Sequence, residues 1–89
     1  MPQDADSKRE LPPVTFASFI VSLAQSAMSH LGEGPGATLD PAMAKHSIDL
    51  LGILRDKTKG NLDEEENRLL ETLLYETRMR FMEKTKGQP

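Results

Sequence analysis

The sequence predicts an all-α fold: a three-helix unit that assembles as a homodimer or a larger helical bundle. Three observations carry that expectation. Twelve Leu and five Met stand against three Ile and two Val, and β-branched residues are the ones that favour strands. Apolar residues recur at i, i+3, i+4 and i+7 through three segments, the period of a helix face. Each segment closes toward glycine or basic residues and opens on a residue type that caps helices. The chain has 89 residues, which is one domain, and a chain this short buries only roughly 60–65% of its unfolded surface.

Residues 1–13 are polar and end in Leu11-Pro12-Pro13, which reads as a disordered N-terminal tail closed by a stiff stop. A single domain follows over 14–84, and 85–89 form a C-terminal tail. Thr15 caps a first helix over about 16–31. Gly32-Glu33-Gly34-Pro35-Gly36 then reads as a flexible linker. Asp40-Pro41 starts a second helix over about 41–58, with Gly60 as its C-cap. Asp63 and Glu66 make a capping box at the start of a third helix over about 64–84.

The helix faces differ in what they ask for. Phe16, Phe19, Ile20, Leu23, Ala24, Ala27, Met28 and Leu31 lie on an apolar arc of roughly 200°, wider than the ~100° that one core contact needs. The other side holds Ser18, Ser22 and Ser26, four residues apart and uncharged, a ridge that lets another helix come close. Met43, Ala44, Ser47, Ile48, Leu50, Leu51 and Leu54 face the core from the second helix. The third has a main stripe of Leu69, Leu70, Leu73, Leu74 and Phe81, and a separate patch of Tyr75, Met79 and Met82 on its outward side. Contiguous exposed apolar surface marks an interface, and Tyr and Met are enriched there. The interface candidates are therefore Phe16, Phe19, Ser18, Ser22, Ser26, Tyr75, Met79 and Met82. The expected partner is the chain itself or another protein.

Charge is polarised along the third helix. Residues 61–77 carry Asp63, Glu64, Glu65, Glu66, Glu71 and Glu76 against Arg68, net −5; residues 78–89 carry Arg78, Arg80, Lys84 and Lys86 against Glu83, net +3. Antiparallel pairing of two copies would set Glu64, Glu65 and Glu71 beside Arg78, Arg80 and Lys84.

Composition excludes several classes of chemistry. There is no Cys, which removes disulfide scaffolds, thiolate metal sites and thiol nucleophiles. There is no Trp, one Tyr and three Phe, too few for an aromatic stacking platform. His46 and Asp49 lie one turn apart but lack a third ligand, and a zinc site needs three or four; no metal and no cofactor are expected. Glu64, Glu65, Glu66 and Glu71 sit at a helix start, where they complement the dipole rather than perform acid–base work. No catalytic residue is assigned, and the expected class is non-enzymatic.

Two alternatives use other surfaces. Arg78, Arg80, Lys84 and Lys86 are weak candidates for phosphate contacts in a nucleic-acid-associated protein, with Glu76 placed to pair with Arg80 at i+4. The overall net charge of −3 argues against that. Residues 11–32 carry no Asp, Glu, Lys or Arg, which raises a peripheral membrane role for the first helix. Such helices show Lys or Arg on their polar face, and this one has none. The N-terminus has no basic-then-apolar leader and the chain no Cys, so a cytoplasmic protein is expected.

Three strings belong together: Pro13-Val14-Thr15-Phe16 leading into Phe19-Ile20; Ile48-Asp49-Leu50-Leu51 through Lys57-Thr58-Lys59-Gly60-Asn61-Leu62; and Leu73-Leu74-Tyr75-Glu76 with Arg78-Met79-Arg80-Phe81. Over about residues 12–83 the chain resembles a family of small bacterial proteins catalogued as domain of unknown function 1844. The resemblance implies a bacterial, cytoplasmic, helical protein. It implies no chemistry and transfers no site residues.

Overall fold

The computed structural model describes Leu11 and residues 13–86. It contains three helices, α1 (Phe16–His30), α2 (Pro41–Lys57) and α3 (Glu64–Thr85), each packed against both others. Among the described residues there is no strand, only an isolated antiparallel bridge between Leu31 and Leu39. None of these helices is long and apolar enough to cross a membrane. The N-terminal tail expected over 1–13 lies outside the described residues apart from Leu11 and Pro13, both exposed. Of the C-terminal tail, 87–89 likewise lie outside, and Thr85 belongs to α3.

All three helices start where their caps dictate. The Thr15 hydroxyl accepts the Ser18 N–H at 3.0 Å and the Ser18 hydroxyl accepts the Thr15 N–H at 2.9 Å. This reciprocal box satisfies two amides that no helix can bond internally. Asp40 accepts from the Met43 N–H, with Pro41 in the first turn. Asp63 and Glu66 form the second reciprocal box, at 2.7 and 3.0 Å. The end of α2 differs from expectation. Thr58, not Gly60, is its C-cap: the Thr58 hydroxyl and N–H both donate to the Leu54 carbonyl. Gly60 instead takes a φ of 86° in the turn that follows, a conformation open to glycine because it lacks a Cβ.

The core is small and drawn from all three helices. Ile20, Ala24 and Ala27 of α1, Ile48 and Leu51 of α2, and Leu70 and Leu74 of α3 form one buried cluster. Phe16, Leu23, Leu54, Leu62, Leu69, Leu73 and Phe81 close its edges. Ala24, Ala27 and Ala44, all buried, keep the neighbouring helices of this hairpin slender where they meet. Thr77 is a polar side chain in this interior that the apolar stripe of α3 does not include. It is buried, and its hydroxyl donates to the Leu73 carbonyl at 2.8 Å. That back-bond meets the requirement that a buried hydroxyl be paired. Its position, seven residues after Leu70 and three after Leu74, is a core position on the helical period.

The loop between α1 and α2 is more ordered than a flexible linker. The Asp40 N–H donates to the His30 carbonyl at 2.6 Å, and the Leu31–Leu39 bridge ties its two ends. Leu31 is fully buried. Gly32 turns the chain at a φ of 84°, a region β-carbons disfavour.

Candidate functional site

A helix packed on two neighbours has one face left over, and the C-terminal half of that face on α3 carries an apolar strip. Leu70, Leu74 and Thr77 point to the core. Tyr75, Met79 and Met82 sit roughly 140° away, counting ~100° per residue. Their exposures are 66%, 43% and 66%. At spacing i, i+4, i+7 they form one continuous strip along the helix, as the sequence pattern implied. Met82 also borders a shallow groove of about 250 Å³ between α2 and α3, lined by Lys45, Ile48, Asp49, Arg78 and Phe81. The Arg78 guanidinium lies over Gly52, 3.4 Å from where a Cβ would stand, so the absence of a side chain on α2 makes room for it.

The remaining interface candidates separate. Phe16 packs against the core edge, whereas Phe19 is 46% exposed. Ser22 is exposed and Ser18 and Ser26 are half-buried. The hydroxyls of this ridge bond to its own backbone: Ser18 donates to the Thr15 carbonyl and Ser22 to the Ser18 carbonyl, both at 3.0 Å. The face is therefore uncharged and its hydroxyls at 18 and 22 are satisfied without a partner. On α2, Met43 and Ile53 are also exposed. Met43 lies at the margin of the face that periodicity assigns to the core, near the start of the helix where packing ends.

The basic end of α3 is occupied from an unexpected direction. Arg80 pairs with Glu33 at 3.1 Å across the bundle, and Lys84 reaches the same carboxylate at 3.6 Å. Arg80 also approaches Glu83. The expected i, i+4 pairing of Glu76 with Arg80 does not form. Arg80 lies on the side of α3 that faces the α1–α2 loop, and Glu33 is brought there by the turn at Gly32. Sequence separation hid this contact; the only local signal was an isolated acid in an otherwise uncharged loop. Of the four candidate phosphate contacts, then, two are held by Glu33. Replacing Glu33 with Ala is expected to leave stability within about 1 kcal/mol, as for other partly exposed pairs. It should speed amide hydrogen exchange selectively over 32–39, where the carboxylate anchors the loop to α3.

Beside this anchor runs a second groove, of about 430 Å³, between α1 and α3. Val21, Ala24, Met28 and Leu73 line it, with Glu33 and Glu76 at its margin. Elsewhere Lys45 pairs with Asp49 at 2.8 Å, so Asp49 is turned to its own helix neighbour rather than shared with His46. No group of three or more potential metal ligands converges among the described residues.

A family model described as a domain of unknown function (DUF1844) matches residues 13–83. The chain belongs to the domain of unknown function 1844 family. The match takes in all of α1 and α2, the loop bearing Glu33, and α3 through Glu83. The apolar strip of α3 and the Glu33–Arg80 pair thus both lie inside the domain 1844 region, while Lys84 and Lys86 follow it. Searches of curated proteins and of solved structures return no match to the chain.

Proposed function

We propose that this domain is a non-enzymatic protein-interaction module that associates with itself. The observation that carries the reading is the strip of Tyr75, Met79 and Met82, exposed on the face of α3 opposite the core. Three large apolar side chains in register along one helix are costly to leave in water and are of types enriched where proteins meet. The serine ridge of α1 supports the same reading, since its small side chains let another helix approach closely.

The two other surfaces favour their roles less. Arg80 and Lys84 already neutralise Glu33, so a phosphate backbone would have to displace an existing pair to engage them. The exposed face of α1 is serine-rich and carries no cation for an anionic lipid surface.

Sedimentation equilibrium between about 1 and 100 μM tests the proposal. A dimer or larger species is expected within that range, the upper end of which corresponds to only about −5.5 kcal/mol. A 9.9 kDa species throughout would overturn it.

A further inference from the structure

We propose that the second copy docks α3 against α3, antiparallel, about a two-fold axis passing beside Tyr75. The inference rests on the self-association proposed above and names its seam and orientation.

The argument is the order of residues along the exposed face. Tyr75 is at its centre. Four residues before it lies Glu71 and four after it Met79; seven before, Arg68 and seven after, Met82; eleven before, Glu64, the first residue of α3, and eleven after, Lys86, its C-cap. These offsets are the ones that keep residues on one side of a helix. All seven residues are exposed. An isologous interface brings each residue to its mirror position in the partner. Antiparallel pairing about Tyr75 therefore sets Tyr75 against its own copy and Glu64 against Lys86. It also sets Glu71 beside Met79. Arg68, the single base in the acidic half of the face, falls opposite Met82, where its aliphatic stem can cover the thioether.

Parallel pairing gives the opposite result. Glu64, Arg68, Glu71 and Lys86 would each meet its own like charge. Complementarity of this kind orients partners and suppresses wrong ones, while the apolar strip supplies the attraction. The structure also corrects which cations take part. Arg80 and Lys84 point toward Glu33 on another side of α3, and the Arg78 guanidinium lies over Gly52 of α2, so Lys86 is the cation that completes the seam. No ion pair between described residues engages Glu64, Glu71 or Lys86. The helix is 22 residues long, about 33 Å, long enough for these contacts to span six turns.

Because the chain has no cysteine, disulfide trapping can report the register directly. Tyr75→Cys should give a linked dimer on mild oxidation, since bridged Cα atoms must lie within about 7 Å. A mixture of Glu64→Cys and Lys86→Cys keeps the apolar strip whole. It should yield the mixed disulfide in at least tenfold excess over either homodimer. Sedimentation of the same reduced proteins separates the two layers of the argument. A dimer in which Glu64→Cys links to itself would establish a parallel seam and overturn the inference. So would a dimer that links from Ser22→Cys and from none of the α3 positions, which would move the seam to α1. Either result leaves self-association standing, whereas a monomer at 100 μM removes both.

Discussion

Tyr75→Arg is expected to weaken self-association at least 100-fold, about 2.7 kcal/mol, with the fold intact. The size of the effect follows from the axis. A residue on a two-fold meets its own copy, so one substitution removes two aromatic rings and places two guanidinium groups face to face. Like charges brought together at the centre of a drying interface are among its most costly perturbations. Tyr75 is largely exposed in the single chain, so the isolated fold should change by no more than about 0.5 kcal/mol. Far-ultraviolet circular dichroism should be unaltered while sedimentation equilibrium shifts to the 9.9 kDa species. Tyr75→Phe, which keeps the ring, should associate like the native chain. Loss of helical signal in Tyr75→Arg, or an unchanged dimer constant, would contradict the assignment.

Leu74→Ala, one position earlier, should do the reverse. Leu74 is 1% exposed and belongs to the cluster that joins all three helices. Truncating a buried leucine loses transfer free energy and leaves a cavity, together about 2–5 kcal/mol. A domain of this size has only about 4–13 kcal/mol in total, so the variant should be substantially destabilised. Urea unfolding followed by circular dichroism, at a concentration too low for association, isolates this from any coupling to the dimer. A midpoint within experimental error of the native chain would mean that Leu74 is not in the core. The adjacent pair, one buried and one exposed, thus separates stability from association within a single helical turn.

Much of the fold was legible because its signals are local. A cap acts on amides within three residues, so Thr15, Asp40 and Asp63 could be read directly as helix starts. Periodicity likewise placed Leu70 and Leu74 inside and Tyr75, Met79 and Met82 outside. A helix has one side for each neighbour, and the residues themselves mark it. Ends were less legible than starts. Gly60 carries the usual stop signal, but α2 ends at Thr58, whose hydroxyl donates to the Leu54 carbonyl, and the glycine falls in the turn that follows.

The site shows the same division. The charge polarity of α3 belongs to the sequence alone, since it needs only the order of Glu64, Glu71, Arg78 and Lys86. Which cations remain available did not. Glu33 and Arg80 are 47 residues apart, and no local rule brings an acid in a glycine-rich loop to the far end of another helix. Only the packing angle of α3 against the α1–α2 hairpin decides that meeting. Thr77 is the converse case. Its spacing from Leu70 and Leu74 puts it on the core face, and the i−4 carbonyl satisfies its hydroxyl within the helix so that it can be buried there. By itself, then, the sequence determined the three helices, their starts and the apolar strip on α3, because each depends on residues within a turn or two of one another. The tertiary structure decided which charges are paired across the bundle, as Glu33 is with Arg80 and Lys84, because that depends on distances between helices that no spacing along the chain encodes.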